Sequence, residues 1–237
     1  MKNRTIEYQD GDQTLEGFLA WDAGKEGKRP AVLVAHAWAG RGEFECQVAE
    51  DLAALGYAGF ALDNYGKGVL GYDNEENAAL MSPFLADRGL LRRRLLAGLH
   101  TVSQLDIVDP SRIAAIGYCF GGLCVLDLAR SGAAVNGVVS FHGLFNAPEN
   151  LPSAPIKAKV LALHGHDDPM VPPAKVLELE QELTAAGVDW QIHAYGHTCH
   201  AFTNPAAAAP EQGMAYNPVS ARRAWLSMKN FLAEVLE

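Results

Sequence analysis

Gly117-Tyr118-Cys119-Phe120-Gly121-Gly122 says more about the architecture of this chain than any other part of it. It lies between an apolar run from Arg112 to Ile116 and a second from Leu123 to Leu128, the setting of a sharp turn from a strand into a helix. Glycines stand two before and two after a single nucleophile, which is the pattern of a nucleophile elbow with cysteine where serine usually stands. Those glycines let the two backbones approach closely, so that a strained turn can lift the thiol above a sheet. A free cysteine is ordinarily a small buried hydrophobe, and the hexapeptide alone leaves packing and catalysis both open.

An elbow nucleophile needs a base and a group to orient that base, following in the order acid, then histidine. Both follow in that order. After an apolar strand from Ala158 to Leu163 comes His164-Gly165-His166-Asp167-Asp168-Pro169-Met170-Val171-Pro172. After another, from Trp190 to Ala194, comes Gly196-His197-Thr198-Cys199-His200-Ala201-Phe202. Each stretch leaves the carboxyl end of a strand, where open parallel sheets carry their functional loops.

With these motifs the chain, from roughly Pro30 to its end, resembles the dienelactone hydrolases of the α/β-hydrolase superfamily. The most specific matches are Val108-Asp109-Pro110-Ser111-Arg112-Ile113 running into the elbow, Asp168-Pro169-Met170-Val171-Pro172, and His200-Ala201-Phe202. The resemblance implies Cys119 as nucleophile, Asp168 as acid and His200 as base. The family's spacing before Val171-Pro172 selects Asp168 over Asp167, which then reads as a solvated loop charge. An oxyanion hole needs two backbone N–H groups; Phe120 supplies one, and the resemblance puts the other at Trp38. His36, Ala37, Tyr65, His197, Phe202 and Asn204 are expected to border the substrate pocket.

Two departures from the family pattern bear on substrate. Founding members carry a glutamate where Ala37 stands, and it interacts with the resting thiol; Glu43 could substitute, although it reads as a helix-start carboxylate. They also carry an arginine that grips the substrate carboxylate where this chain has Asn204, which favours neutral or aromatic esters. The implied activity is hydrolysis of carboxylic esters, lactones or activated aryl esters through a thioacyl-enzyme, with no cofactor. An activated phosphotriester is an alternative electrophile, and a redox-sensing thiol or a binding protein is an alternative of another class. His164, His166, Asp167, His197 and Cys199 are conceivable metal ligands, but they follow no zinc-binding template, and no metal is expected.

At 237 residues and 49% hydrophobic content, the chain suffices for one α/β domain spanning 1–237. Its net charge of −9 argues against nucleic acid or an anionic membrane as partner and leaves a small molecule. No run reaches the roughly 18 apolar residues of a membrane span, and the polar start from Met1 to Thr5 does not read as a signal peptide. Cysteines at 46, 119, 124 and 199 lack the density of a disulfide framework, so a reducing cytoplasm is expected, with the chain a monomer or homodimer.

Strands alternate with helices, which predicts a mostly parallel sheet covered on both faces. The start differs: Thr5–Tyr8 and Thr14–Trp21 flank an Asp-Gly turn and read as an antiparallel hairpin. Helices are expected over about 43–55, 75–104 and 219–236. Arg92-Arg93-Arg94 in the second reads as a solvated helix face.

Overall fold

Continuous Val, Ile, Leu and Ala runs suit strands buried on both faces, and the chain uses them so. The computed structural model describes residues 1–149 and 151–237. Among these residues eight strands form one sheet: β1 (Lys2–Asp10), β2 (Gln13–Trp21), β3 (Arg29–Ala35), β4 (Ala58–Ala61), β5 (Val108–Tyr118), β6 (Gly137–Phe141), β7 (Lys159–Gly165) and β8 (Trp190–Tyr195). Their spatial order is β1-β2-β4-β3-β5-β6-β7-β8. The hairpin β1–β2 and the pair β2–β4 are antiparallel, and the remaining pairs are parallel.

Among the described residues six α-helices cover the sheet: α1 (Glu43–Ala54), α2 (Asn74–Ala86), α3 (Arg88–Ser103), α4 (Phe120–Arg130), α5 (Pro173–Ala185) and α6 (Pro218–Leu236). Strand side chains alternate between two cores, as a period of two requires. Ala31, Leu33 and Ala35 of β3 pack with buried residues of α3, α4 and α5, whereas Val32 and Val34 pack with those of α1 and α6. On α6 the inward residues are Ala224, Met228, Phe231 and Leu232.

The expected helix over 75–104 is two helices. The Asp87 side chain accepts from Leu90 N–H as the N-cap of α3, while its own N–H closes α2 on the Pro83 carbonyl. Asp87 itself leaves helical geometry, with φ −119° and ψ 88°, and so separates the two. Arg94 is not solvated: it is buried and pairs with Asp10 of the hairpin at 3.0 Å. Strand β6 and helix α5 lie outside the sequence-based expectation. A five-residue run such as Gly137–Phe141 is too short for periodicity to identify.

The register aligns the strand ends that matter. Ala35 pairs with Gly117, Tyr118 with Phe141, Phe141 with Leu163, and Gly165 with Tyr195. The loops that leave β3, β5, β6, β7 and β8 therefore emerge side by side along one edge of the sheet.

Candidate active site

Cys119 sits at the N-cap of α4 with φ +55° and ψ −115°, directly after β5. The turn is tight enough that a side chain at Gly117 would overlap the Gly121 carbonyl, and one at Gly121 the Ala35 carbonyl. Glycine is thus required at both positions, as the motif predicts. The Cys119 N–H donates to the Phe141 carbonyl at 3.0 Å and to His142 Nδ1 at 3.2 Å. Its thiol is half-buried at the positive end of α4, where a helix favours negative charge. Non-glycine residues with positive φ are, among the described residues, Cys119, His142, His197 and Ala201. All four lie in loops at this edge of the sheet, and strain held in this way characterises functional loops.

Asp168 is 2% exposed in the loop after β7, whereas Asp167 is exposed. Asp168 Oδ1 accepts from Met170 N–H at 2.8 Å, and Oδ2 accepts from His200 Nδ1–H at 2.7 Å. His200 is buried, and its backbone bonds to Gly213 and Ala215 pin the loop that carries it. That segment includes a small ladder, β9 (Ala208–Ala209) with β10 (Met214–Ala215). Burial opposes a charge on the imidazole, but the Asp168 carboxylate bonded to Nδ1 and the nearby Cys119 outweigh it and push its pKa up to about 10, while Nε2 itself has no hydrogen-bond partner among the described residues.

The β3–α1 loop begins with a turn, Ala37-Trp38-Ala39-Gly40, closed by Gly40 N–H on the Ala37 carbonyl at 3.2 Å. It is braced from three sides. Glu45, 4% exposed in the first turn of α1, accepts from Ala37 N–H (3.2 Å) and Gly42 N–H (3.0 Å), the second being the return half of a capping box. Tyr65 donates its hydroxyl to the Trp38 carbonyl at 2.9 Å. His36 Nδ1–H donates to the Ala37 carbonyl at 2.6 Å, and its Nε2 accepts from Asn64 N–H at 3.2 Å. Among the described residues the N–H groups of Trp38 and Phe120 donate to no protein acceptor.

These bonds correct part of the expected pocket. His36 is fully buried, and burial holds its pKa below the usual imidazole value; it is a brace. Tyr65 is also buried, its ring packed against His36, Phe84 and Phe120, and its hydroxyl supports the Trp38 turn. Phe202 is fully buried and packs edge-on to Tyr195 and His142 in the core. Ala37 is part-buried in the turn, and His197 is exposed. Asn204 is exposed and accepts from Ala206 N–H at 2.9 Å. Glu43 is exposed as well; the buried carboxylate of this loop is Glu45. His164 is buried against Phe145 while His166 is exposed, and no three of His, Cys, Asp or Glu converge as a metal site among the described residues.

Sequence reasoning missed Glu45 and His142. Gly42-x-x-Glu45 has capping-box spacing, which could have flagged the first. His142 follows β6 directly, and a strand that is not recognised hides the residue at its end.

The sheet order and the strained strand-to-helix elbow are those of an α/β-hydrolase. The chain belongs to the dienelactone hydrolase family, whose profile matches residues 15–236. It is 35% identical to a dienelactone hydrolase-like promiscuous phosphotriesterase, P91, from metagenomic libraries, with a TM-score of 0.94 over 100% of this chain and 99% of that one. Another solved structure, m3DLH, is 38% identical with a TM-score of 0.92, covering 100% and 99%. A protein of Aquifex aeolicus (strain VF5) named "Putative carboxymethylenebutenolidase" is 26% identical over 240 residues, 98% of each chain. The chain is accordingly a hydrolase of dienelactone hydrolase type. Among the described residues no helix is long and apolar enough to cross a membrane.

Proposed function

We propose that this protein hydrolyses carboxylic esters and lactones by a Cys119–His200–Asp168 triad through a thioacyl-enzyme. The observation that carries the reading is the buried Asp168–His200 bond at 2.7 Å, which leaves His200 Nε2 unbonded. The Cys119 thiolate attacks the ester carbonyl, and the Trp38 and Phe120 N–H groups receive the oxyanion. The adduct collapses as His200 gives its proton to the departing alcohol, leaving an acyl group on sulfur. His200 then takes a proton from water, the hydroxide attacks the thioester, and release of the acid returns the thiol. Asp168 holds the imidazole with Nδ1–H toward itself and Nε2 free for this traffic. The Asn204 carboxamide is engaged within its own loop, which supports neutral or aryl esters over carboxylate-bearing lactones.

A stopped-flow assay with a p-nitrophenyl ester tests this. The expected result is a burst of close to one equivalent of p-nitrophenol, abolished by Cys119→Ala; a burst that survives that substitution overturns the triad.

The likeness to P91 favours a second electrophile, an aryl phosphotriester. The thiolate would displace aryloxide from a neutral phosphorus, and water would cleave the S–P bond. Absence of aryl phosphotriester turnover at micromolar enzyme excludes it. The same reading takes residues 1–237 as one domain acting on a small molecule, as a monomer or homodimer, and the free state of all four cysteines supports a reducing cytoplasm.

A further inference from the structure

His142 is 3% exposed and holds a left-handed backbone, φ +38°, immediately after β6. Its Nδ1 accepts from the Cys119 N–H at 3.2 Å. An imidazole that accepts at Nδ1 and is neutral carries its proton on Nε2, and Nε2 lies 2.7 Å from Thr203 Oγ1. Thr203 is three residues beyond His200, on the same loop. The His142 ring also stands edge-on to the His200 ring, with centroids 5.1 Å apart at 67°, and Phe202 closes its other side at 5.3 Å. One side chain therefore spans from the backbone of the candidate nucleophile to the loop of the candidate base.

A residue of this size could fill the space between two loops without polar contacts. Instead both ring nitrogens are bonded, one to each loop, and the backbone adopts a conformation that disfavours L-residues. Burial, and then the charge of His200, keep His142 well below the usual imidazole pKa. It thus stays neutral while its neighbour is protonated, as the acceptor role of Nδ1 requires.

We infer that His142 is a positioning residue, a neutral strut joining the Cys119 elbow to the Thr203 loop and fixing the separation of Cys119 from His200. The inference rests on those two residues acting as proposed above, and it gives His142 no part in the bond-making or proton-transfer steps. Displacement of catalytic groups by about 1 Å can cost on the order of 10²-fold in rate. The strut should therefore act on kcat and on the reactivity of the thiol, with little effect on KM.

The test compares His142→Phe, His142→Asn, Thr203→Val and the His142→Phe/Thr203→Val double variant with the wild type, each checked for folding by circular dichroism. Expected are a 10- to 100-fold fall in kcat for His142→Phe with KM within about twofold, and slower alkylation of Cys119 by iodoacetamide at pH 7. His142→Asn, whose carboxamide can accept from the Cys119 N–H, should recover part of both. Thr203→Val should produce the same signature more weakly, and the double variant should be no worse than His142→Phe, since the two residues share one connection. A wild-type kcat and alkylation profile in folded His142→Phe overturns the strut, as do effects of His142 and Thr203 that simply add. Should His142→Phe fail to fold, Thr203→Val and His142→Asn decide alone, and wild-type profiles in both overturn it. Turnover persisting in Cys119→Ala would instead overturn the triad, a result separate from any of these.

Discussion

At the scale of the residue, the proton on His200 governs the pH behaviour. Its folded pKa of about 10 lies above the ordinary 6.5, so the imidazolium persists through neutral pH and is lost only as pH rises toward 10. A raised value also means that the stabilisation from this group is complete below about 6.5 and disappears through the same alkaline window. For the proposed ester hydrolysis, kcat/KM should hold to the alkaline side of neutrality and then fall as pH nears 10. In Asp168→Asn that descending limb should move to lower pH, because the carboxylate acceptor that holds the proton is gone. The same substitution should lower kcat by roughly 10³- to 10⁴-fold, the cost of losing the imidazole's orientation and tautomer. A pH–rate profile of both proteins checks the two expectations together, and an unmoved alkaline limb would detach it from His200.

At the scale of the element, the candidate oxyanion turn shows how a loop is held in place by parts distant in sequence. Ala37 N–H is bound by Glu45 from α1, and the Trp38 carbonyl by Tyr65 from the loop after β4. Glu45→Ala removes the acceptor of two backbone donors at once, and a buried donor left without a partner costs about 1–3 kcal/mol. The expected outcome is a lowered Tm together with a kcat reduced more than KM is raised, since the Trp38 N–H would no longer be aimed. Glu45→Gln, which keeps one acceptor oxygen, should fall between. Thermal melts and steady-state kinetics on the two variants check this, and a normal kcat in Glu45→Ala would show that the turn holds itself. The residues of the elbow were readable in the sequence because Gly117, Cys119 and Gly121 must be adjacent for the turn to form. Glu45 was harder, because spacing marks it as a cap without showing which N–H its second oxygen reaches.

At the scale of the whole molecule, three helices on one face of the sheet are joined by charge. Asp127 of α4 accepts two hydrogen bonds from Arg88 of α3, at 2.6 and 2.7 Å, and one from Arg130 at 3.2 Å; Arg130 forks onto Glu182 of α5 at 2.7 Å on both oxygens. Asp127 and Arg130 are almost fully buried. Removing one partner of such a group leaves buried charge uncompensated, which costs about 3–5 kcal/mol. Asp127→Ala should accordingly show a loss of that size in chemical denaturation, whereas Asp127→Asn, which retains acceptor capacity, should lose less. Equal stability of Asp127→Ala and the wild type would mean that solvent already compensates these arginines.

The order nucleophile, acid, histidine and the alternation of strand and helix were legible along the chain, because both are local patterns. An elbow needs its glycines within a few residues, and a buried strand needs its apolar run unbroken. The family's spacing had already picked Asp168 over Asp167, and the folded chain bears this out by bonding Asp168 to His200; that His36 and Phe202 are wholly buried as brace and packing, and that Tyr65 holds the Trp38 turn, emerged only from the fold. It also brought His142 between Cys119 and Thr203. Those outcomes depend on the pairing of Tyr118 with Phe141, Phe141 with Leu163 and Gly165 with Tyr195. Such contacts arise between strands far apart in the chain, where register, and no local preference, sets which side chains meet.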